Sequence, residues 1–494
     1  MVFNCRRSLL YYKQGVFTLK KTVKIRIDQK TWLFGKVAEA DRGFATQHGA
    51  SGSKYALFYR GAGSAVWTIE TQQDDVYDMK IGYYAKTTSY ASLTLGDQII
   101  LQTFEPVIGY GSARVPMRDA GMMQNLEDSE SIDIVGTLEI PKGRHELRLD
   151  VSSCTDFRVY YIEMIPRKAL PAIKAKEAQA AALRPSTAPI AKEGYGLFIH
   201  WTDRTKPRYG PMKPYEEAVN DFDVEMFADQ MKELGASYVI FTAEHVSDWF
   251  CAPIKAWDKY HPGKTTKRDL IADLIPALKA RGIKFFMYIH LPKMANFPEA
   301  YTNGFNYTND DINNTAVLDA LCDRLCEMLT EIGTRYGEDL CGYWLDGWQM
   351  IPLKYGIDPT GPVYMASKAG NKNRLTSFAF GVRCPEFTPW QDYSCGENRV
   401  IGALPVNGYY TSGTHKGYPY HTIIVMDDDW WHDQYDTPIT DPQYTADQLA
   451  PFIIGCMENG GMVSVNTAVY QDGTVSDKAR AVMRQTAKLV QNRG

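Results

Sequence analysis

From Gly194 onward, short apolar runs alternate with amphipathic stretches of helical period, and no other feature of the chain restricts its fold as much. Tyr195 to His200, Ser237 to Thr242, Ile283 to Ile289 and Leu340 to Leu345 read as buried strands. Between the first two, Asp223 to Gly235 sets Phe227, Met231 and Leu234 on one helical face and ends in a glycine stop. Asp269 to Arg281 repeats that pattern before Gly282, and a further helix is expected from Ala316 to Tyr336. Strands alternating with helices imply a mostly parallel sheet. Over ~300 residues the expected form is an α/β, (β/α)8-like (TIM-type) barrel.

The chain ahead of Gly194 follows a different rule. Ala65 to Ile69, Asp78 to Tyr84, Ser92 to Leu95, His145 to Leu149 and Arg158 to Ile162 alternate with period two between turn residues, which argues for an all-β sandwich. Arg167 to Glu193, rich in Lys and Ala and then in Pro, reads as a semi-rigid linker with a short helix from Ile173 to Leu183. The expected organisation is therefore multidomain: an N-terminal extension over 1–22, a sandwich over 23–166, a linker over 167–193 and the barrel over 194–494.

Composition excludes more than it selects. A formal net charge of -4, from 54 basic and 58 acidic residues, gives no footprint for nucleic acid. No run approaches the ~18 apolar residues of a membrane span, so neither nucleic acid nor a membrane is expected as a partner. The nine cysteines are scattered, and Cys322 and Cys326 stand i, i+4 on a helix, where core packing is the plainer reading. No zinc spacing occurs, and neither a metal nor a cofactor is expected. Met1 to Lys21 holds too short an apolar core for a signal peptide, and the oligomeric state stays open.

Polar groups gather where the strands of the second domain end. His200 and Trp201 end the first, Glu244 and His245 the second, Tyr288 and His290 the third, and Asp346 the fourth. Each has an ordinary explanation; Asp346-Gly347 alone is a strong turn signal. In a barrel, however, these strand ends converge on one face, where the chemistry of such folds is kept.

Several ordered motifs give this region a family resemblance. Gly196-Leu197-Phe198-Ile199-His200-Trp201, Thr242-Ala243-Glu244-His245, Lys267-Arg268-Asp269-Leu270, Tyr343-Trp344-Leu345-Asp346-Gly347 and Gly460 to Asn466 resemble those of glycoside hydrolase family 29, the α-L-fucosidases. The resemblance implies a retaining mechanism with Asp346 as nucleophile. The acid/base in this family follows an Arg by a dozen or so residues; Glu397, 14 positions after Arg383, is the first choice and Glu386 the second. His200, Trp201, His245, Tyr288, Arg383 and Trp430 are the implied substrate-binding residues. The N-terminal region is similar to carbohydrate-binding modules of families 6 and 35, through Ala38-Glu39-Ala40-Asp41, Tyr83-Tyr84-Ala85 and Gly143-Arg144-His145-Glu146-Leu147. A sandwich that merely supports its neighbour is the other reading.

The chain departs from the family at Glu244, Asp248 and Met426 to His432, where Asp428 and Trp430 change the residues expected around a fucose ring. The leading expectation is an exo-acting glycosidase that removes a terminal fucose or related sugar from an oligo- or polysaccharide. The alternatives are a non-catalytic carbohydrate-binding protein on the same barrel, or a glycosidase for another sugar. Such a substrate points to a secreted or periplasmic setting.

Overall fold

The computed structural model describes residues 22–40, 61–106, 135–245, 247–291, 315–348, 350–379, 388–397, 399, 401–411, 415–427 and 430–492, with short strands at 44–46, 57–59, 114–116, 123–125 and 130–131. Arg383, Glu386 and Asp428 lie outside the described residues.

The period-two segments form two sheets whose inner faces share one buried cluster, including Trp67, Tyr77, Leu147, Phe157 and Ile162. One sheet centres on Gly63–Thr71 paired antiparallel with Gly143–Ser153, and the other on Asp75–Ala85 paired antiparallel with Phe157–Pro166. Alternation along each strand sends one row of side chains inward, as a two-sheet packing requires. The N-terminal domain is thus β-rich, as its pattern implies.

The linker is helical where its composition favours it, at Leu170–Leu183 and again at Ala188–Glu193. Neither piece hangs free. Ile190 and Ala191 are buried in the inner core of the following domain, and Arg184 donates to the carbonyls of Gln391 and Pro389 at 2.8 and 3.1 Å.

The C-terminal domain is built on a parallel sheet of seven strands: β1 (Gly196–Ile199), β2 (Tyr238–Glu244), β3 (Lys284–His290), β4 (Leu340–Asp346), β5 (Leu375–Phe378), β6 (His421–Val425) and β7 (Met462–Asn466). Their order, β5-β4-β3-β2-β1-β7-β6, sets the first strand of the domain beside its last. The expected helices form at Val224–Glu233, Leu270–Lys279 and Thr315–Tyr336. Asp223 and Asp269 cap the first two by accepting from Met226 N and Ala272 N, each at 2.9 Å. Gly235 and Gly282, at φ +80° and +75°, stand just beyond those two helices, in the left-handed region that favours glycine.

Among the described residues the sheet has seven strands rather than the expected eight, and no ladder joins β5 to β6. The stretch 391–399 fills that interval irregularly. Asp392 N donates to Thr376 O at 2.8 Å on one side, while Ile423 N and Val425 N donate to Gly396 O and Arg399 O, both at 3.0 Å, on the other. Gly396 and Arg399 have φ of +62° and +65°, and two left-handed residues in so short a run cannot sustain a pleated ladder.

Large side chains, among them Phe198, Tyr238, Phe286, Tyr288, Trp344 and Tyr393, fill the concave side of the sheet. The helices cover the other side over a second, larger cluster.

Candidate active site

Strand alternation decides which residues reach the concave mouth. On β4, Trp344 and Asp346 point the same way, and Trp344 belongs to the inner cluster. Asp346, the last residue of β4, stands level with His290 at the end of β3. Tyr288 is two residues back along β3, and its hydroxyl donates to Asp346 Oδ2 at 2.5 Å. Gly347 N donates to Asp346 Oδ1 at 2.7 Å. Both carboxylate oxygens are therefore held by donors.

Glu397 arrives from the irregular stretch close enough to Asp346 for each carboxyl to shift the other's ionisation. Burial and the Asp346 charge push the Glu397 carboxyl up to about 8, against the opposing pull of the Arg399 guanidinium. Asp346 is also raised by burial, but the bonds from Tyr288 and Gly347 oppose that shift. One proton shared unequally between two adjacent carboxyls is the expected state, with Glu397 as its holder. Arg399 is almost fully buried and lies 5.0 Å from the Trp430 ring centroid.

Imidazoles line the next part of the mouth. The His200 ring lies 5.2 Å from His245 and 4.8 Å from Tyr288, and His245 lies 5.5 Å from His290. Burial holds His200 down to about 3, and burial with the neighbouring His200 and His290 holds His245 well below the usual range. These two rings are neutral at ordinary pH, so each offers one donor and one acceptor. Asn466, ending β7, donates to Trp430 O at 3.2 Å and partly offsets the effect of burial on His200. His200 Nδ1, Trp344 Nε1 and Trp431 Nε1 have no hydrogen-bond partner among the described residues.

The structure therefore brings together Asp346, Glu397, His200, His245, Tyr288 and Trp430. Trp201 is a correction: it is fully buried on the helix side, its ring 5.0 Å from Phe222 and its Nε1 donating to Gln471 O at 2.8 Å. One residue past His200, it faces the opposite way. Asp248 also turns aside, toward His261 at 3.8 Å, and its carbonyl accepts from Trp257 Nε1. Arg399 and Asn466 were not singled out from the sequence. Asn466 carries the same signal as Asp346, a polar residue ending an apolar run; Arg399 carries none, because its segment lacks a strand pattern.

A family profile described as Alpha-L-fucosidase matches residues 201–494. Similar solved structures include an endo-fucoidan hydrolase of glycoside hydrolase family 107, at 15% identity over 62% of this chain and 54% of that one, with a TM-score of 0.47. A family 29 α-L-fucosidase from Bacteroides thetaiotaomicron shares 17% identity over 62% of this chain and 73% of that one, with a TM-score of 0.45. The Thermotoga maritima α-fucosidase shares 16% over 62% and 74%, with a TM-score of 0.40. The chain spans about half (54%) of the length of the endo-fucoidan hydrolase. No curated protein matches it. Because the profile covers more than half of the 494 residues, the chain belongs to the α-L-fucosidase family of glycoside hydrolases.

Proposed function

We propose that the chain is an exo-acting, retaining glycosidase that removes a terminal fucose or related sugar from an oligo- or polysaccharide. The observation that carries this reading is that Asp346 and Glu397 come close enough to couple their ionisation, in surroundings that pull the two apart. A retaining enzyme needs one ionised carboxylate and one protonated carboxyl on the same bond.

Asp346, kept anionic by Tyr288 and Gly347, attacks the anomeric carbon. Glu397 gives its proton to the departing glycosidic oxygen, so the C–O bond breaks as the Asp346–carbon bond forms. Glu397, now a carboxylate, takes a proton from water, and the resulting hydroxide displaces Asp346 and restores the anomeric configuration. A working retaining pair stands ~5–5.5 Å apart, with the anomeric centre between the two carboxyls. The unpartnered His200 Nδ1, Trp344 Nε1 and Trp431 Nε1 are suited to sugar hydroxyls. Arg399 opposes the upward shift of Glu397.

The test is a covalent one. The full chain treated with a 2-deoxy-2-fluoro-glycosyl fluoride is expected to gain one glycosyl unit, mapped by peptide mass spectrometry to Asp346. A label on Glu397, or none with any sugar that is turned over, overturns the assignment.

Two further readings go with it. The sheet is read as a (β/α)8-type barrel with the stretch 391–399 in the sixth place, supported by its backbone bonds to Thr376, Ile423 and Val425. The N-terminal domain is read as a carbohydrate-binding module, supported by its sequence motifs and its two-sheet architecture.

A further inference from the structure

A cavity of about 580 Å³ opens where the N-terminal domain, the linker helix and the C-terminal domain meet. That volume lies in the ~300–1,000 Å³ range of small-molecule sites. Its charges balance: Arg26, Lys30 and Lys176 are matched by Glu177, Asp319 and Asp358. Lys30 Nζ and Glu177 Oε1 meet at 2.7 Å across the seam between the N-terminal domain and the linker. Trp390 supplies a flat apolar wall. It lies so close over Gly361 that a Cβ there would meet its indole at 3.3 Å, and Met365, 49% exposed, stands beside it at the rim.

We propose that this seam is a second carbohydrate site, separate from the Asp346–Glu397 pair, that takes a short run of neutral sugars. An aromatic wall packs against the C–H face of a sugar ring. Matched cations and carboxyls supply donors and acceptors for hydroxyls without favouring a net charge, so a sulfated or uronic segment gains nothing there. The site also adjoins both segments that carry the catalytic carboxyls. Asp358 accepts from Thr360 N at 2.9 Å, and Thr360 Oγ1 accepts from Trp348 Nε1 at 2.8 Å, two residues past Asp346. Trp390 leads directly into the stretch that ends in Glu397.

The test uses the full chain and fucose-free probes, so it reads binding and stands apart from the hydrolysis proposed above. Cellotriose, mannotriose, xylotriose and galactotriose are titrated by saturation-transfer NMR and calorimetry, beside a sulfated galactotriose. At least one neutral trisaccharide is expected to bind. Met365→Trp, which fills the rim, and Trp390→Ala, which removes the wall, are each expected to weaken it about tenfold or more. Met365→Trp should keep the wild-type melting temperature, since the side chain it replaces is half exposed. The proposal is overturned if no neutral trisaccharide binds, if the folded Met365→Trp chain binds like wild type, or if the sulfated sugar binds best.

Discussion

Gly396 shows how closely a single residue fixes the site. At φ +62°, a Cβ on this residue would lie 1.8 Å from the His421 carbonyl oxygen, a backbone atom that cannot swing away. Gly396→Ala must displace the stretch that carries Glu397, and it is expected to lower kcat at least about a hundredfold, as a misplaced acid/base does. Retained activity in a folded Gly396→Ala chain would remove Glu397 from the mechanism. The pH profile tests the pair itself. Glu397, raised to about 8, is loaded with its proton below that pH and loses it as pH rises through about 8, so the alkaline limb of kcat/KM should fall there. Asp346 must be ionised, and Tyr288→Phe removes a bond that favours its ionised form, so the acidic limb should move to higher pH. A profile whose acidic limb is unmoved by Tyr288→Phe would separate that hydroxyl from the nucleophile. At this scale the sequence was legible wherever a polar residue ended an apolar run, as at His200, His245, Tyr288 and Asp346. Trp201 was misread because a strand end fixes a place and not a direction.

Among the elements, β1 to β4 and the helices at Val224–Glu233, Leu270–Lys279 and Thr315–Tyr336 followed from periodicity, but β5, β6 and the stretch 391–399 did not. The last has no alternation, two left-handed residues and bonds to unlike neighbours, so its position depends on contacts made by residues far off in the chain. The anchor is Asp392, fully buried, which accepts from Thr376 N at 2.6 Å and Tyr364 Oη at 2.7 Å and also pairs with Lys368. Asp392→Asn leaves the largely buried Lys368 ammonium without its counter-charge. Loss of one partner of a buried pair typically costs about 3–5 kcal/mol. Denaturant unfolding should show a loss of that order, and Lys368→Met added to Asp392→Asn should recover part of it. If the double variant is no more stable than the single one, the pair is not what holds this stretch.

At the scale of the whole molecule, the linker is where pattern and packing part company. Composition marks 167–193 as a spacer, from which a chain beginning at residue 191 would be expected to stand alone. Packing makes it part of the C-terminal domain. Arg184 holds the Gln391 and Pro389 carbonyls just ahead of Asp392, and Ile190 and Ala191 fill the inner core. The N-terminal domain is joined as well: Trp32 N donates to Gly356 O at 2.8 Å, and its ring lies in the buried cluster under the C-terminal helices. Losing one fully buried large apolar side chain removes roughly 1.5–3 kcal/mol of burial, and a cut before 191 removes several such groups along with the Arg184 bonds. Melting temperature should therefore fall in the order full chain, chain from 167, chain from 191. Turnover of small aryl glycosides should fall steeply only at the last step, where Arg184 is lost. A chain from 191 that melts with the full chain would show that the N-terminal domain and linker rest against the C-terminal domain without supporting it.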